Sequence, residues 1–413
     1  MVPRVLTRDG WLLFVTRSIR LFAYGLLSVV LVFYLTGLGL TASQTGVLLT
    51  LTLAGDTVVS LYLTTRADRI GRRRMLIVGA TLMAAAGLAF VCTRNFVFLI
   101  VAGTIGVISP SGNEVGPFLP IELAALAQVV RNEARTAAFA WYTLAGSFAT
   151  AAGALCGGLV SQLLRRLALT PLASYRAVVL LYAALGVMLA LSFTALSPAV
   201  EVSAPGAPGP RATVKPLLGI GRSRGVVVRL SGLFALDAFG GGFVVQSFAA
   251  YWFYLRFGVN PGVLGVIFFW ANVLAGISAL LASRLASRIG LVKTMVFTHL
   301  PSNLLLILVP LMPSLPLAVL VLLARFSISQ MDVPTRQSYT MAVVRPEERS
   351  AAAGITGVAR TTGAALAPVF AGLLFARPAL IDVPFFIAGA LKIVYDLLLY
   401  RGFVALRPPE ETA

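Results

Sequence analysis

The chain has 413 residues, of which 58% are hydrophobic and 12% are charged. A soluble protein of this length needs far more polar surface, so the composition argues against a globular enzyme in water and for a protein that crosses a membrane several times. The formal net charge of +18 does not indicate nucleic-acid binding, because the positive residues lie in short loops between apolar segments.

Apolar segments of about 20 residues, the length that crosses a ~30 Å hydrocarbon core, recur along the chain. The fourth segment contains three prolines and several glycines, which predict a broken or bent helix. In the first half the predicted helices are Trp11–Leu38, Gln44–Leu63, Met75–Val91, a broken fourth helix that begins near Val97, Thr136–Leu163 and Tyr175–Leu196.

Residues 197–225 are rich in proline, glycine and basic side chains, which is typical of a flexible linker. This linker divides the chain into two predicted six-helix bundles, residues 1–196 and 226–413, and the placement of basic residues predicts that both termini are cytoplasmic. In the second half the predicted helices are Val227–Leu255, Val263–Ser283, Val292–Leu311, Leu315–Tyr339, Ser350–Ala376 and Val383–Leu399.

A hairpin with five arginines connects the second and third predicted helices. Its sequence, Leu63 to Gly79, reads LTTRADRIGRRRMLIVG. Because short arginine-rich loops stay on the cytoplasmic side, this hairpin fixes the orientation of every other helix.

The two halves share an internal repeat. Pro120 and Pro334 are 214 residues apart, and so are Arg135 and Arg349, with similar residues between each pair. Chance similarity of apolar segments is the alternative explanation. Polar residues that recur at loop positions instead favour a duplicated six-helix unit.

Two six-helix halves, a cytoplasmic linker and the arginine hairpin together resemble the major facilitator superfamily. Five hairpin residues match the signature loop of that family, although Thr64 stands where its first glycine is expected: Asp68, Arg69, Gly71, Arg72 and Arg73. The resemblance implies an all-α membrane protein of twelve transmembrane helices in two pseudo-symmetric bundles. It also implies that Asp68 helps to latch one state of the transport cycle, whereas the alternative is that the arginines only set orientation.

The resemblance further implies a central cavity lined by helices one, four, seven and ten. A charge inside a span is costly and calls for a partner or a function. The predicted cavity residues are Arg20, Tyr24, Tyr34, Asn113, Gln246, Arg325 and Gln330, and the predicted proton-coupling carboxylates are Glu114, Asp237 and Asp332. Glu114 lies among prolines and glycines, where a desolvated carboxylate can load and release a proton; a fixed ion pair with Arg20 or Arg325 is the alternative.

Four further charged residues, Glu122, Arg135, Arg336 and Arg349, are predicted to form ion pairs between the halves that close the cytoplasmic gate. The glycines of helix five resemble a motif of drug/proton antiporters, but close helix packing explains them better. Lys392 and Asp396 lie one turn apart and are predicted to neutralise each other, and His299, the only histidine, is predicted to be structural.

These patterns predict a secondary transporter that exports a small organic compound in exchange for protons, and the resemblance implies that it works as a monomer by alternating access. An importer of an anionic nutrient, with Arg20 and Arg325 as its clamp, is the alternative transporter, and a non-transporting sensor or scaffold is the alternative of another class. No cofactor and no metal is predicted, since no nucleophile, metal-ligand or phosphate-binding pattern occurs. The alanine-rich and arginine-rich composition predicts a bacterial inner membrane.

Overall fold

The computed structural model describes residues 6–112, 116–201, 223–345 and 348–406, without the side chains of residues 132–137 and 350. All regular secondary structure within these ranges is helical. Glu114 and Asn113 lie outside the described residues, as does the side chain of Arg135.

Within the described residues, seven α-helices precede the linker, and several begin at a residue whose side chain caps them. Thr41 and Gln44 form a reciprocal capping box at the start of the second helix, and Asn95 caps the fourth. The helices are α1 (Arg8–Gly37), α2 (Ala42–Ile70), α3 (Arg72–Cys92), α4 (Phe96–Ile105), α5 (Phe118–Val129), α6 (Asn132–Arg166) and α7 (Pro171–Thr194).

Eight α-helices follow the linker in the part of the chain that the structure describes. Gly258 ends the second of them with a left-handed backbone conformation, for which glycine is the usual residue. The helices are α8 (Arg224–Gly242), α9 (Gln246–Phe257), α10 (Pro261–Ile289), α11 (Leu291–Leu308), α12 (Leu315–Phe326), α13 (Asp332–Ala342), α14 (Arg349–Phe375) and α15 (Val383–Phe403).

Ten helical segments of the described chain are long and apolar enough to cross a membrane. The predicted fourth and tenth helices are not among them, because each is interrupted and its parts have only 10–12 residues. The predicted seventh helix, Val227–Leu255, is interrupted as well, between α8 and α9, but its two parts together count as one of the ten. The fourth is divided into α4 and α5, and the tenth into α12 and α13. The sequence predicted the break in the fourth helix from its prolines and glycines, whereas the breaks in the seventh and tenth helices were not foreseen. The second parts of the fourth and tenth helices begin at equivalent positions of the repeat, Phe118 and Asp332.

The chain forms two compact units. Unit 1 comprises residues 1–204, 245–273 and 375–377, and unit 2 comprises residues 205–244, 274–374 and 378–413. Within unit 1, helix α1 is the central element, since 83% of the residues in its most apolar stretch are buried. Large apolar side chains such as Val58, Phe98 and Leu191 are exposed on the outer helices, as expected for surfaces that face lipid.

Small residues let α1 and α6 pack with their backbones in contact. A Cβ atom added at Gly153 would lie 2.0 Å from the carbonyl oxygen of Phe22, and one added at Gly157 would lie 2.3 Å from that of Leu26. Both distances are far below van der Waals contact, so a side chain at either position would push the helices apart. Close packing is therefore a sufficient reason for the glycines of α6.

We expect Gly153→Val to destabilise unit 1 by about 1–3 kcal/mol or more, because the added side chain has no space. Thermal unfolding of the purified chain in detergent measures the change. Gly354→Val is the matched control, since an added Cβ there has no neighbour within 4 Å. Equal unfolding midpoints for the two variants would contradict the packing role of Gly153.

Candidate functional site

Unit 1 contains a completely buried ion pair between α1 and α5. The guanidinium group of Arg20 donates from Nη1 to Oε1 of Glu122 at 2.5 Å and from Nη2 to Oε2 at 2.8 Å. Tyr142 of α6 also donates to Oε2, at 2.5 Å. The side chains of Arg20 and Glu122 are 0% exposed. The bidentate geometry is the strongest arrangement available to this pair, and it uses both carboxylate oxygens of Glu122.

Unit 2 contains a larger buried network that is centred on Asp237 of α8. One carboxylate oxygen of Asp237 accepts from Nζ of Lys392 in α15 at 2.6 Å, and the other accepts from Nη1 of Arg336 in α13 at 3.1 Å. Arg336 also lies 3.0 Å from Asp332, one turn earlier in the same helix. Three helices are thus connected through a single aspartate whose side chain is 6% exposed.

His299 of α11 extends this network by facing two carboxylates. Its Nδ1 lies 2.8 Å from Oδ1 of Asp396, and its Nε2 lies 3.7 Å from Oδ1 of Asp237. Asn303, one turn further along α11, donates to the second oxygen of Asp396 at 2.9 Å. The ring of Tyr395 packs edge-on at 5.8 Å. His299 is therefore placed between charged groups and not in an apolar core.

This arrangement corrects one prediction from the sequence. Lys392 and Asp396 were predicted to neutralise each other along α15, but Lys392 pairs with Asp237, while Asp396 bonds to His299 and Asn303. The physical reason is that α8 and α11 pack directly against α15. They offer partners across the helix interface, which fixes the side chains better than a neighbour on the same helix does.

The ion pairs of the two units occupy equivalent positions of the repeat with opposite signs. Glu122 and Arg336 are 214 residues apart and lie in the second parts of the two broken helices. Glu122 pairs with Arg20 on the first helix of its half, and Arg336 pairs with Asp237 on the first helix of the other half. The carboxylate thus lies on the broken helix in unit 1 and on the first helix in unit 2.

The arginine hairpin forms its own polar cluster in unit 1. Gly71, with a φ of 115°, separates α2 from α3. Nε of Arg72 donates to Asp68 at 2.9 Å, and the backbone amides of Arg72 and Arg73 donate to the carboxylate of Glu201 at 2.7 and 3.1 Å. A carboxylate at a helix N-terminus is favourable. Glu201 is not predicted from the sequence, because it lies in the proline-rich segment that is typical of a linker.

Several of the other predicted residues are buried or hydrogen-bonded. Tyr24 and Tyr34 are fully buried, and Tyr34 donates to the carbonyl of Phe90 at 2.6 Å. Gln246 donates to Ser28 at 2.7 Å and accepts from Asn272 at 3.1 Å. Arg325 is half-buried beside the ring of Phe326, and the backbone amide of Gln330 donates to Ser278. Arg69 and Arg349 are exposed.

The gate predicted from Glu122, Arg135, Arg336 and Arg349 stays a prediction. The described partners of Glu122 lie in unit 1 and those of Arg336 lie in unit 2. Among the residues that the structure describes, no group of three or more His, Cys, Asp or Glu side chains is placed to hold a metal ion.

Comparison with known proteins places this chain among membrane proteins. The family model described as Major Facilitator Superfamily matches residues 13–329 and 238–413. Over 426 residues the chain is 32% identical to the uncharacterized membrane protein YJR124C of Saccharomyces cerevisiae, covering 97% of this chain and 95% of that protein.

Solved structures of transporters have the same fold. An inward-facing, occupied bacterial homolog of the human lysosomal transporter Spinster gives a TM-score of 0.74 at 15% identity, covering 96% of this chain and 97% of that one. The nucleoside transporter NupG gives 0.74 at 12% identity, covering 96% and 99%. The D-xylose-proton symporter gives 0.71 at 15% identity, covering 95% and 97%. At these identities the likeness concerns the fold alone.

Proposed function

This chain belongs to the Major Facilitator Superfamily, and on that premise we propose that it moves a small organic compound by alternating access, coupled to protons. As a member of that family with ten apolar helices of spanning length in its described residues, it is a multi-pass membrane transporter and not an enzyme. Its substrate class, its direction of transport and its coupling ion are what we propose.

The topology we propose has twelve spans with both termini in the cytoplasm. The ten candidate spans, one of which consists of α8 and α9, and the two broken helices α4–α5 and α12–α13 add up to this number. The arginine hairpin between α2 and α3 supports the orientation. We further propose that the chain works as a monomer in lipid. Only the alanine-rich and arginine-rich composition favours a bacterial inner membrane as the location of this protein. One relative is a membrane protein of yeast.

The observation that supports proton coupling is the position of His299 between Asp237 and Asp396. Histidine is the side chain that most readily changes charge near neutral pH. An imidazolium here would donate toward a carboxylate from each ring nitrogen, at 2.8 Å and 3.7 Å. Loss of one proton would remove one of these interactions. It would also change the charge beside Asp237, which holds α8, α13 and α15 together.

Two of the carboxylates that the sequence predicts for proton coupling, Asp237 and Asp332, belong to this network. Asp332 contributes through Arg336, which it shares with Asp237. Export is the direction we propose. The gating role of Asp68 is part of the same proposal, because its ion pair with Arg72 lies in the hairpin that the family uses for this purpose.

The experiment is a measurement of proton movement in proteoliposomes that contain a pH-sensitive dye. Cationic drugs, organic anions and sugars are added in turn to the wild type and to His299→Asn. We expect one class of compound to move protons with the wild type. With His299→Asn we expect proton movement at background level, while exchange of the same compound continues without a pH gradient.

Arg284→Gln is the matched control, because Arg284 is exposed on α10 of the same unit and is expected to leave proton movement unchanged. Proton movement by His299→Asn at the wild-type rate would exclude His299 from coupling. If no compound moved protons with the wild type, proton coupling itself would be wrong.

A further inference from the structure

The two ring nitrogens of His299 face different carboxylates. Nδ1 lies 2.8 Å from Oδ1 of Asp396, which is a hydrogen-bond distance, whereas Nε2 lies 3.7 Å from Oδ1 of Asp237, which is longer than a hydrogen bond. A neutral imidazole carries its proton on only one nitrogen, and its surroundings decide which one. Besides the two carboxylates, the helices packed around this part of α11 contribute Arg325 of α12, Asp332 and Arg336 of α13, and Lys392 and Tyr395 of α15.

A close approach of α15 to α11 brings Asp396 to the ring. A Cβ atom added at Gly389 of α15 would lie 2.3 Å from Cγ1 of Ile307 and 3.1 Å from the carbonyl oxygen of Asn303. The absence of a side chain at Gly389 therefore lets the two helices lie near each other. As a result, His299 and Asn303, which are one turn apart on α11, reach the same carboxylate of α15.

His299 and Asn303 together present two nitrogens to the two oxygens of Asp396. Nδ1 of His299 lies 2.8 Å from Oδ1, and Nδ2 of Asn303 donates to Oδ2 at 2.9 Å. The two nitrogens are 3.1 Å apart, so that both can point to one carboxylate, as the two nitrogens of an arginine fork do. The side chain of Asp396 is 0% exposed, and its ion-pair partner among the described residues is His299.

These distances locate one proton of the ring. An ionised carboxylate only accepts hydrogen bonds, so the contact of 2.8 Å requires a proton between Nδ1 and Oδ1 of Asp396. Without this proton, the lone pair of Nδ1 would face a negatively charged oxygen at the same distance, which is repulsive.

Asn303 holds the carboxylate in this position. Its own side-chain oxygen is buried without a hydrogen-bond partner among the described residues, although an unpaired buried acceptor is costly. Reversal of the amide would place that oxygen against Oδ2 of Asp396, where Nδ2 now donates at 2.9 Å. The charge on Asp396 therefore maintains the orientation in which Asn303 is the donor.

We propose that Asp396, held by Asn303, is a positioning residue that keeps a proton on Nδ1 of His299, so that the proton exchanged during transport is the one on Nε2. Uptake forms a bond between Nε2 and a proton from water, and the neutral ring becomes an imidazolium. Release breaks the same bond and returns the proton to water on the other side of the membrane. This inference rests on the proposed function, because it names the atom of that site that carries the proton.

A proton on Nε2 acts directly on Asp237. Lys392 already donates to Oδ1 of Asp237 at 2.6 Å, and this is the oxygen that Nε2 faces. A protonated Nε2 therefore competes with Lys392 for one acceptor, whereas the neutral ring presents a lone pair there. Proton uptake thus changes the contact between α8 and α15, and a difference of this kind can favour one conformation over another.

The test is nitrogen-15 magnetic resonance of the imidazole ring. Because the chain has one histidine, labelled histidine gives signals from His299 alone when the full chain is purified through a tag without histidine. The chemical shifts distinguish a protonated ring nitrogen from an unprotonated one. They are recorded over the pH range in which the protein stays folded in detergent. We expect Nδ1 to remain protonated throughout and Nε2 to lose its proton as the pH rises.

Asp396→Leu removes the acceptor of the Nδ1 proton. The amide of Asn303, 3.1 Å from Nδ1, can then donate to that nitrogen, and Asp237 remains as the acceptor near Nε2. We therefore expect the neutral ring to carry its proton on Nε2 in this variant. The tautomer ratio should shift by about tenfold or more, because a charged hydrogen bond is lost. Tyr395→Phe is the matched control: it keeps the ring that packs on His299 and should leave the tautomer unchanged.

The wild-type spectra can overturn the inference without any variant. A neutral ring with its proton on Nε2, or a ring that holds both protons over the whole pH range, would exclude exchange at Nε2. An unchanged tautomer in folded Asp396→Leu would exclude Asp396 as the positioning residue.

These spectra need no transport, so they separate this inference from the proposed function. A protonated Nδ1 together with a titrating Nε2 supports the inference even if no compound moves protons in proteoliposomes. Proton movement by a wild type whose neutral ring carries its proton on Nε2 would contradict the inference and leave the proposed function standing.

Discussion

Replacing Glu122 with glutamine is expected to destabilise unit 1 by about 3–5 kcal/mol, because it leaves a fully buried arginine without its counter-charge. Arg20 and Glu122 are both 0% exposed, and they share two hydrogen bonds. The variant should therefore yield less folded protein, with a lower midpoint of thermal unfolding in detergent.

The double variant Arg20→Met with Glu122→Leu distinguishes a buried charge from a loss of packing. Removing both charges together removes the need for compensation, and well-packed apolar pairs are often as stable as the ion pair that they replace. We expect the double variant to recover most of the lost stability. If Glu122→Gln alone unfolded at the wild-type midpoint, the ion pair would not be what holds α1 to α5.

Replacing Asp237 with asparagine is expected to reduce coupled transport by about a hundredfold or more, a typical loss when a positioned proton-transfer group is removed. Asp237 is the point at which Lys392, Arg336 and His299 meet. The asparagine variant keeps the shape of the side chain but leaves two cations without their shared partner. Substrate-driven proton movement in proteoliposomes measures the loss.

The double variant Asp237→Asn with Lys392→Gln is the control for folding. It restores the balance between cations and carboxylates around Arg336, so we expect it to elute and unfold like the wild type. Proton movement should remain absent, because the carboxylate that faces His299 is missing. Wild-type proton movement in either variant would exclude Asp237 from the coupling mechanism.

Much of the fold could be predicted from the sequence, because membrane spans and their orientation are local properties. Apolar length predicted the helices, and prolines and glycines predicted the break between α4 and α5. The break between α12 and α13 has a weaker signal: Ser327 to Gln330 contains neither proline nor glycine, and only Pro334 follows, which cannot donate to the carbonyl four residues earlier. It could have been inferred from the repeat, because α5 and α13 begin at equivalent positions.

The partners of the charged residues could not be predicted, because they depend on which helix faces meet. Lys392 was assigned to its neighbour on α15, and His299 was given only a structural role, yet both face Asp237 from different helices. Pairing rules for single helices concern exposed faces, and they say nothing about contacts across an interface.

The most direct test of proton-coupled transport is the pH dependence of the null point of substrate movement. Proteoliposomes with the wild-type protein hold gradients of protons and of the compound that first moves protons in the dye measurement. Both gradients have the same direction, so that their driving forces on an exchange oppose each other. The substrate gradient at which net movement stops is recorded at several imposed pH differences. We predict that this null point shifts in proportion to the pH difference, and that the shift disappears in His299→Asn. A null point that stays at equal substrate concentrations, whatever the pH difference, would show an uncoupled carrier and contradict proton coupling.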